Sequence, residues 1–176
     1  MGYSTEFYGE FFKVTPILSK AHRDYLEKFS YIRHMKRDVK KLVDVKDDFR
    51  EAVGLSPGID GEFYVGSCID SNCGQGFPGH GRDDSILEYN YNPQSQPGLW
   101  CQWTPNEEGD TIEWDGGEKF YGPEEWLQYI IDSFIKPWGY VLNGETEWQG
   151  DDRDDMGLII VKDNVLEIKH GKIVFE

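Results

Sequence analysis

From residue 3 to residue 14 the side chains alternate. Thr5, Phe7, Gly9 and Phe11 fall on one side, and Glu6, Tyr8, Glu10 and Phe12 on the other, a period of two that predicts a strand. Pro16 closes it, and Ser19 suits the N-cap of a helix. The period then changes: Tyr25, Phe29, Ile32, Met35, Val39 and Leu42 recur at helical spacing. They predict a first amphipathic helix from residue 20 to about 43, continuing or restarting through Phe49 and Val53 toward Gly54. Arg33, Lys36, Arg37, Lys40 and Lys41 share one face of that helix, as a solvated basic stripe. Residues 62–65 and 85–91 read as short strands on either side of a Gly-rich loop at 67–83.

The second half is richer in hairpin signals. Residues 99–104 alternate and return through a turn at 105–110 into 111–114, with Trp on both faces, which predicts a central pair packed on both sides. Pro123 suits a first helical position, Glu124 and Glu125 suit the first turn, and Trp126, Leu127, Ile130, Ile131 and Phe134 mark the apolar face of a second helix ended by Pro137. Asn143-Gly144, flanked by 140–142 and 145–148, carries a type I′ hairpin signal. Residues 158–161, 165–169 and 173–175 predict a C-terminal β-meander. Together these patterns predict an α+β fold: a mostly antiparallel sheet, two amphipathic helices packed on one face, and a C-terminal meander, in one domain spanning 1–176. A ferredoxin-like core followed by the meander is one such arrangement; strand order is not readable from the pattern.

Charge is unevenly distributed. The net charge of −15 falls wholly on residues 83–155, which hold three basic and eighteen acidic side chains and all six Trp. Such a field repels phosphates and anionic membrane surfaces and attracts basic partners, so no direct nucleic-acid or membrane contact is expected. The 15% aromatic content marks a folded chain, not a disordered one. No run of about 18 apolar residues predicts a membrane span. The acidic first ten residues, Glu6 and Glu10 among them, lack the pattern of a secretory signal, and three cysteines make no disulfide framework; both point to the cytoplasm.

Candidate chemistry is sparse. Residues 74–79 match GxGxxG by letter, but no helix opens at the glycines, so no dinucleotide or other cofactor is expected. Cys68, Cys73, His80 and Cys101 have the donor types of a tetrahedral zinc site at loose spacing, and Cys101 equally suits a small buried apolar position. Residues 152–163 approach an EF-hand loop, with Met156 where an oxygen ligand belongs; a charged hairpin tip fits better. No nucleophile elbow, zinc-protease or phosphate-loop motif is present. Glu113, Asp115, Glu118, Glu145 and Glu147 could pair for acid–base work.

The segments QPGLWCQW (96–103), IEWDGGEKFY (112–121), PWGYVLNGETEWQGDD (137–152) and GLIIVKDNV (157–165) resemble a family of uncharacterised small proteins of bacteria and their phages. The opening GYSTEFYGEF and the segment RHMKRD (33–38) look similar as well, whereas residues 67–82 are private to this chain. The resemblance implies no catalytic residue and no cofactor, and its mobile-element setting favours interaction proteins over metabolic enzymes.

The leading expectation is therefore a non-catalytic acidic binding protein, in the manner of an inhibitor, immunity protein or nucleic-acid mimic, engaging a basic protein surface. Its contact residues would be Trp100, Trp114, Asp115, Glu118, Glu147, Trp148, Asp151, Asp152, Asp154 and Asp155. The rival expectation is a small hydrolase or metal-dependent enzyme using Asp and Glu of residues 113–155.

Overall fold

A strand that must bury both Phe7 and Phe12 faces a parity problem, because residues five apart point to opposite sides of a regular strand. In this computed structural model, which describes residues 2–66 and 83–176, a bulge in β1 (Thr5–Thr15) solves it. Tyr8 pairs with Glu147 and Phe11 with Glu145, so β1 advances three residues while β6 (Val141–Gly150) advances two. Gly9 (φ 125°) and Phe11 (φ 60°) take up the extra residue. Phe7, Phe12 and Val14 are all buried as a result, and the predicted alternation holds only up to the bulge.

The chain forms two compact units, residues Met1–Leu18 with Gln102–Glu176, and Ser19–Cys101. The first contains a six-stranded, wholly antiparallel sheet in the order β4-β5-β1-β6-β7-β8, with β4 at Trp103–Pro105, β5 at Thr111–Trp114, β7 at Met156–Lys162 and β8 at Val165–His170. Its first four strands follow the order of a ferredoxin-like arrangement, and β6–β8 form the C-terminal meander. Beyond β8, residues 171–176 form no strand, so the predicted final strand at 173–175 is absent. A helix, α4 (Pro123–Ile130), continues as a π turn over Ile131–Ile135 and packs on β4 and β6. Its buried Trp126, Leu127, Ile130, Ile131 and Phe134 are the predicted apolar face, and Ile135 is buried as well.

Trp103 is the hub of this core. Phe7, Phe12 and Phe120 meet it edge-on at centroid distances of 5.2, 5.6 and 5.3 Å, and its Nε1 donates to the Pro123 carbonyl at 2.7 Å. The predicted central hairpin is instead an edge. Among the described residues β4 pairs only with β5, Pro105 is tolerated because no further described strand faces it, and Trp103 and Trp114 stand opposite each other on one face.

The predicted turn at Asn143-Gly144 is also overturned: both residues lie inside β6. The two-residue turn sits at Asp163-Asn164, both at positive φ (48° and 67°), between the paired Lys162 and Val165. Asn143 serves it from a distance, its Oδ1 accepting from Asp163 N at 2.8 Å. Gly144 is needed where it is because β1 passes so close that a Cβ would lie 2.1 Å from the Phe11 carbonyl oxygen.

In the second unit α1 spans Lys20–Tyr31, with Ser19 Oγ accepting from His22 N at 3.2 Å. It does not run on to residue 43. His34 turns back, lays its ring 4.4 Å from that of Phe29 and donates from Nε2 to the Phe29 carbonyl at 2.9 Å, while its own N–H leaves for Leu99 O. Ile32 is accordingly extended, and the helical spacing of Ile32 and Met35 reflects burial without a helix. The chain continues as β2 (Lys36–Arg37), α2 (Val39–Leu42), α3 (Asp48–Ala52) and a 3₁₀ turn at Ile59–Gly61; β2 pairs with β3 (Ile86–Glu88). The predicted basic stripe therefore does not exist: Arg37 is buried, bonded to Asp83 at 2.7 Å and Ser85 at 2.8 Å, and stacked on Tyr64. Residues 62–63 form a turn and 64–65 are irregular, so the strand predicted at 62–65 does not form.

Burial pushes the His34 imidazole down to about 3 from 6.5. Its folded pKa is depressed, so the stability it contributes is complete above 6.5 and is lost as pH falls toward 3. His34→Gln should flatten the stability curve across that window relative to wild type, measured as urea midpoints at a series of pH values. Gly144→Ala should lower unfolding free energy by about 2–3 kcal/mol, through the Cβ clash and the unfavourable φ, with an earlier urea midpoint and an unchanged slope.

Candidate partner-binding face

The end of the sheet where β1 begins gathers most of the predicted contact residues. Thr5 pairs with Gly150, so the start of β1 lies beside the β6–β7 hairpin, where Asp151, Asp152 and Asp154 are exposed. Ser4 N donates to Asp151 Oδ2 at 2.7 Å, which ties the hairpin to the chain start. On the β5 side, Phe7 meets Trp114 edge-on at 5.4 Å, and Asp115 and Glu118 follow on an exposed loop, with Gly117 N closing on Asp115 Oδ1 at 2.7 Å. Trp114 is half-buried and donates from Nε1 to Gln102 Oε1 at 3.0 Å. Glu147 is exposed on β6.

Trp100 is the exception. It belongs to the Ser19–Cys101 unit, where it is 41% exposed and lies 5.9 Å from the Arg33 guanidinium, which also stacks on Tyr89 at 4.2 Å. Trp103 and Trp126 are fully buried core.

The outward face of β1 and β6 carries Glu6, Tyr8 and Glu10 beside Glu145 and Glu147, all exposed. Tyr8 donates its hydroxyl to Glu6. Among the described residues, no Lys or Arg forms an ion pair with Glu6, Glu10, Glu145, Glu147, Asp151, Asp152 or Asp154.

On the opposite face a groove of about 320 Å³ opens between the first turn of α4 and β6–β8, lined by Thr5, Pro123, Glu124, Trp148, Asp155, Ile159, Ile168 and His170. Gly157 makes it possible. Trp148 and His170 flank Gly157 in register, and a Cβ there would sit 2.2 Å from the indole, so the missing side chain lets Trp148 lie across β7 and meet His170 edge-on at 5.5 Å. Asp155 fixes the indole by accepting from Trp148 Nε1 at 3.0 Å, and its other oxygen accepts from the Tyr3 hydroxyl. Those two bonds, Tyr3 first, hold the Asp155 carboxyl below the usual aspartate range. Glu124 moves the other way: burial pushes its carboxyl up, with Glu125 adding to the effect and His170 opposing it.

Glu124, His170, Tyr3 and Gly157 were not singled out by sequence reasoning. Glu124 reads there only as a helix first-turn residue. A glycine interrupting an apolar strand two residues after an Asp is the one signal that marks the spot.

Of the zinc candidates, Cys68, Cys73 and His80 lie outside the described residues, as does the 74–79 glycine motif; Cys101 is buried. The EF-hand-like segment is interrupted because Met156–Lys162 is strand β7. Among the described residues, no three His, Cys, Asp or Glu side chains converge as a metal would require, and no helix is long and apolar enough to cross a membrane. No protein-family model, curated protein or solved structure matches the chain.

Because the folded pKa of Asp155 is depressed, its contribution to stability is complete above the ordinary value of 3.8 and is lost as pH falls through the folded value. Asp155→Asn should therefore be less stable than wild type at pH 7, with the gap closing as pH drops below 3.8, read from paired denaturation curves.

Proposed function

We propose that this protein is a non-catalytic acidic binding protein that engages a basic protein surface, in the manner of an inhibitor, immunity protein or nucleic-acid mimic. The observation that carries this reading is a carboxylate face whose neighbouring Lys13 is paired to Asp110 and not to the face itself. Glu6, Glu10, Glu145 and Glu147 stand on adjacent strands, with Asp151, Asp152 and Asp154 at the hairpin beside them and no internal cation paired to any among the described residues. Like charges gathered this way work against folding, and a basic partner removes that cost on docking. Charge complementarity would accelerate encounter and make binding strongly salt-dependent. The resemblance to small bacterial and phage proteins agrees with an interaction role in the cytoplasm.

A second reading, a small hydrolase using carboxylates of residues 113–155, is favoured by one observation: Glu124 and Asp155 line one groove with their pKa values displaced in opposite directions. It ranks second because both Asp155 oxygens are engaged by Tyr3 and Trp148, which gives that carboxylate a positioning role. Hydrolysis in a broad substrate screen that Glu124→Gln abolishes would select it.

The binding reading is tested by affinity capture from a bacterial extract at low salt. The comparison is between wild type and a Glu145→Lys, Glu147→Lys, Asp151→Lys, Asp152→Lys variant whose fold is checked by circular dichroism. Wild type should retain basic proteins and release them as salt rises, and the variant should lose them. Equal recovery by both proteins, or no basic protein among those retained, would overturn the proposal.

A further inference from the structure

The groove beside α4 has a composition that selects its occupant. One wall is apolar, built from Pro123, Ile159 and Ile168, and suits an alkyl stem. Trp148 and His170 supply rings, and the Trp148 indole is already locked by Asp155 and seated over Gly157, so it need not be ordered on binding. Its acidic groups are two carboxylates, Glu124 and Asp155, joined by the Thr5 hydroxyl and the His170 imidazole, and no lysine or arginine lines the groove. Among the described residues, neither carboxylate has an ion-pair partner from Lys or Arg. The partial positive charge of about one half at the α4 N-terminus is outweighed by these carboxylates and by Glu125 in the same turn. At about 320 Å³ the space lies at the small end of ligand pockets, the scale of one extended side chain and not of a folded segment.

We propose that this groove receives one cationic side chain, an arginine or lysine of the basic partner, with its stem on Pro123, Ile159 and Ile168 and its charged head between Glu124 and the Trp148 indole. Aromatic rings with carboxylates at hydrogen-bond range form the usual receptor for guanidinium and ammonium groups. The elevated pKa of Glu124 agrees, since its charged form is under-compensated in the free protein and a bound cation would relieve it. This inference rests on the binding reading for its biological occupant, yet the groove can be tested without the partner.

The test follows the Trp148 indole N–H in two-dimensional NMR spectra, assigned by its loss in Trp148→Phe, while N-acetyl-arginine amide, N-acetyl-lysine amide and the neutral N-acetyl-glutamine amide are titrated separately. A saturable shift is expected with one or both cationic amides and none with the neutral one. Glu124→Gln, with an otherwise unchanged spectrum, should weaken the cation roughly tenfold. Glu108→Gln, at an exposed carboxylate between β4 and β5 outside the groove lining, should leave the titration within about twofold of wild type. Absence of saturation with both cations, an equal response to the neutral amide, or indifference to Glu124→Gln would each overturn the groove inference. Those outcomes leave the carboxylate-face reading intact if basic proteins are still captured. A cation titration that succeeds while capture fails would sink the partner and keep the groove.

Discussion

One extra residue in β1 sets the geometry of the sheet. The bulge between Tyr8 and Phe11 lets Phe7 reach the same face as Phe12 and Val14, so all three are buried there and both phenylalanines pack against Trp103. Without it, one phenylalanine would face water and Trp103 would lose an edge contact, a large fraction of a domain's narrow stability margin. The irregularity leaves a carbonyl to be satisfied: the Thr146 hydroxyl donates to Tyr8 O at 2.8 Å, a bond made from the buried side. Gly144 then allows the two backbones to close up.

The same economy appears at the sheet end that holds the groove. There a glycine is a place for a neighbour's ring: Gly157 is flanked by Trp148 and His170, and the two rings meet across it. Asp155 holds the indole in that pose, and Tyr3 holds Asp155, so the chain start, the hairpin and β8 are joined through side chains. The arrangement concentrates polar groups near β8, beyond which no further strand of the sheet lies among the described residues, and binding groups are commonly placed at such positions on a rigid scaffold.

Much of this was legible in the sequence. The amphipathic face of α4 appeared because Trp126, Leu127, Ile130, Ile131 and Phe134 bury against one surface at one period. The β7–β8 hairpin was readable because its alternation is local. The acidic segment needed only counting. Errors arose where a local signal served a distant partner. Asn143-Gly144 has turn chemistry, but Asn143 caps the Asp163 turn and Gly144 admits β1. Ile32 and Met35 keep helical spacing, yet His34 ends α1 by taking the Phe29 carbonyl. Arg37 counts as a surface charge in a list and is buried against Asp83, Ser85 and Tyr64 in the fold.

The order of residues alone therefore determined the α+β class, the antiparallel meander, the second helix and the segment carrying the net charge. Each of these depends on periodicity or on composition within a short window. Tertiary structure alone decided the strand order, the bulge that reconciles Phe7 with Phe12, and the meeting of Glu124, Trp148, Asp155 and His170 around one groove. Those features join residues separated by tens to well over a hundred positions. Their energies come from packing and desolvation between segments, which no short window of sequence contains.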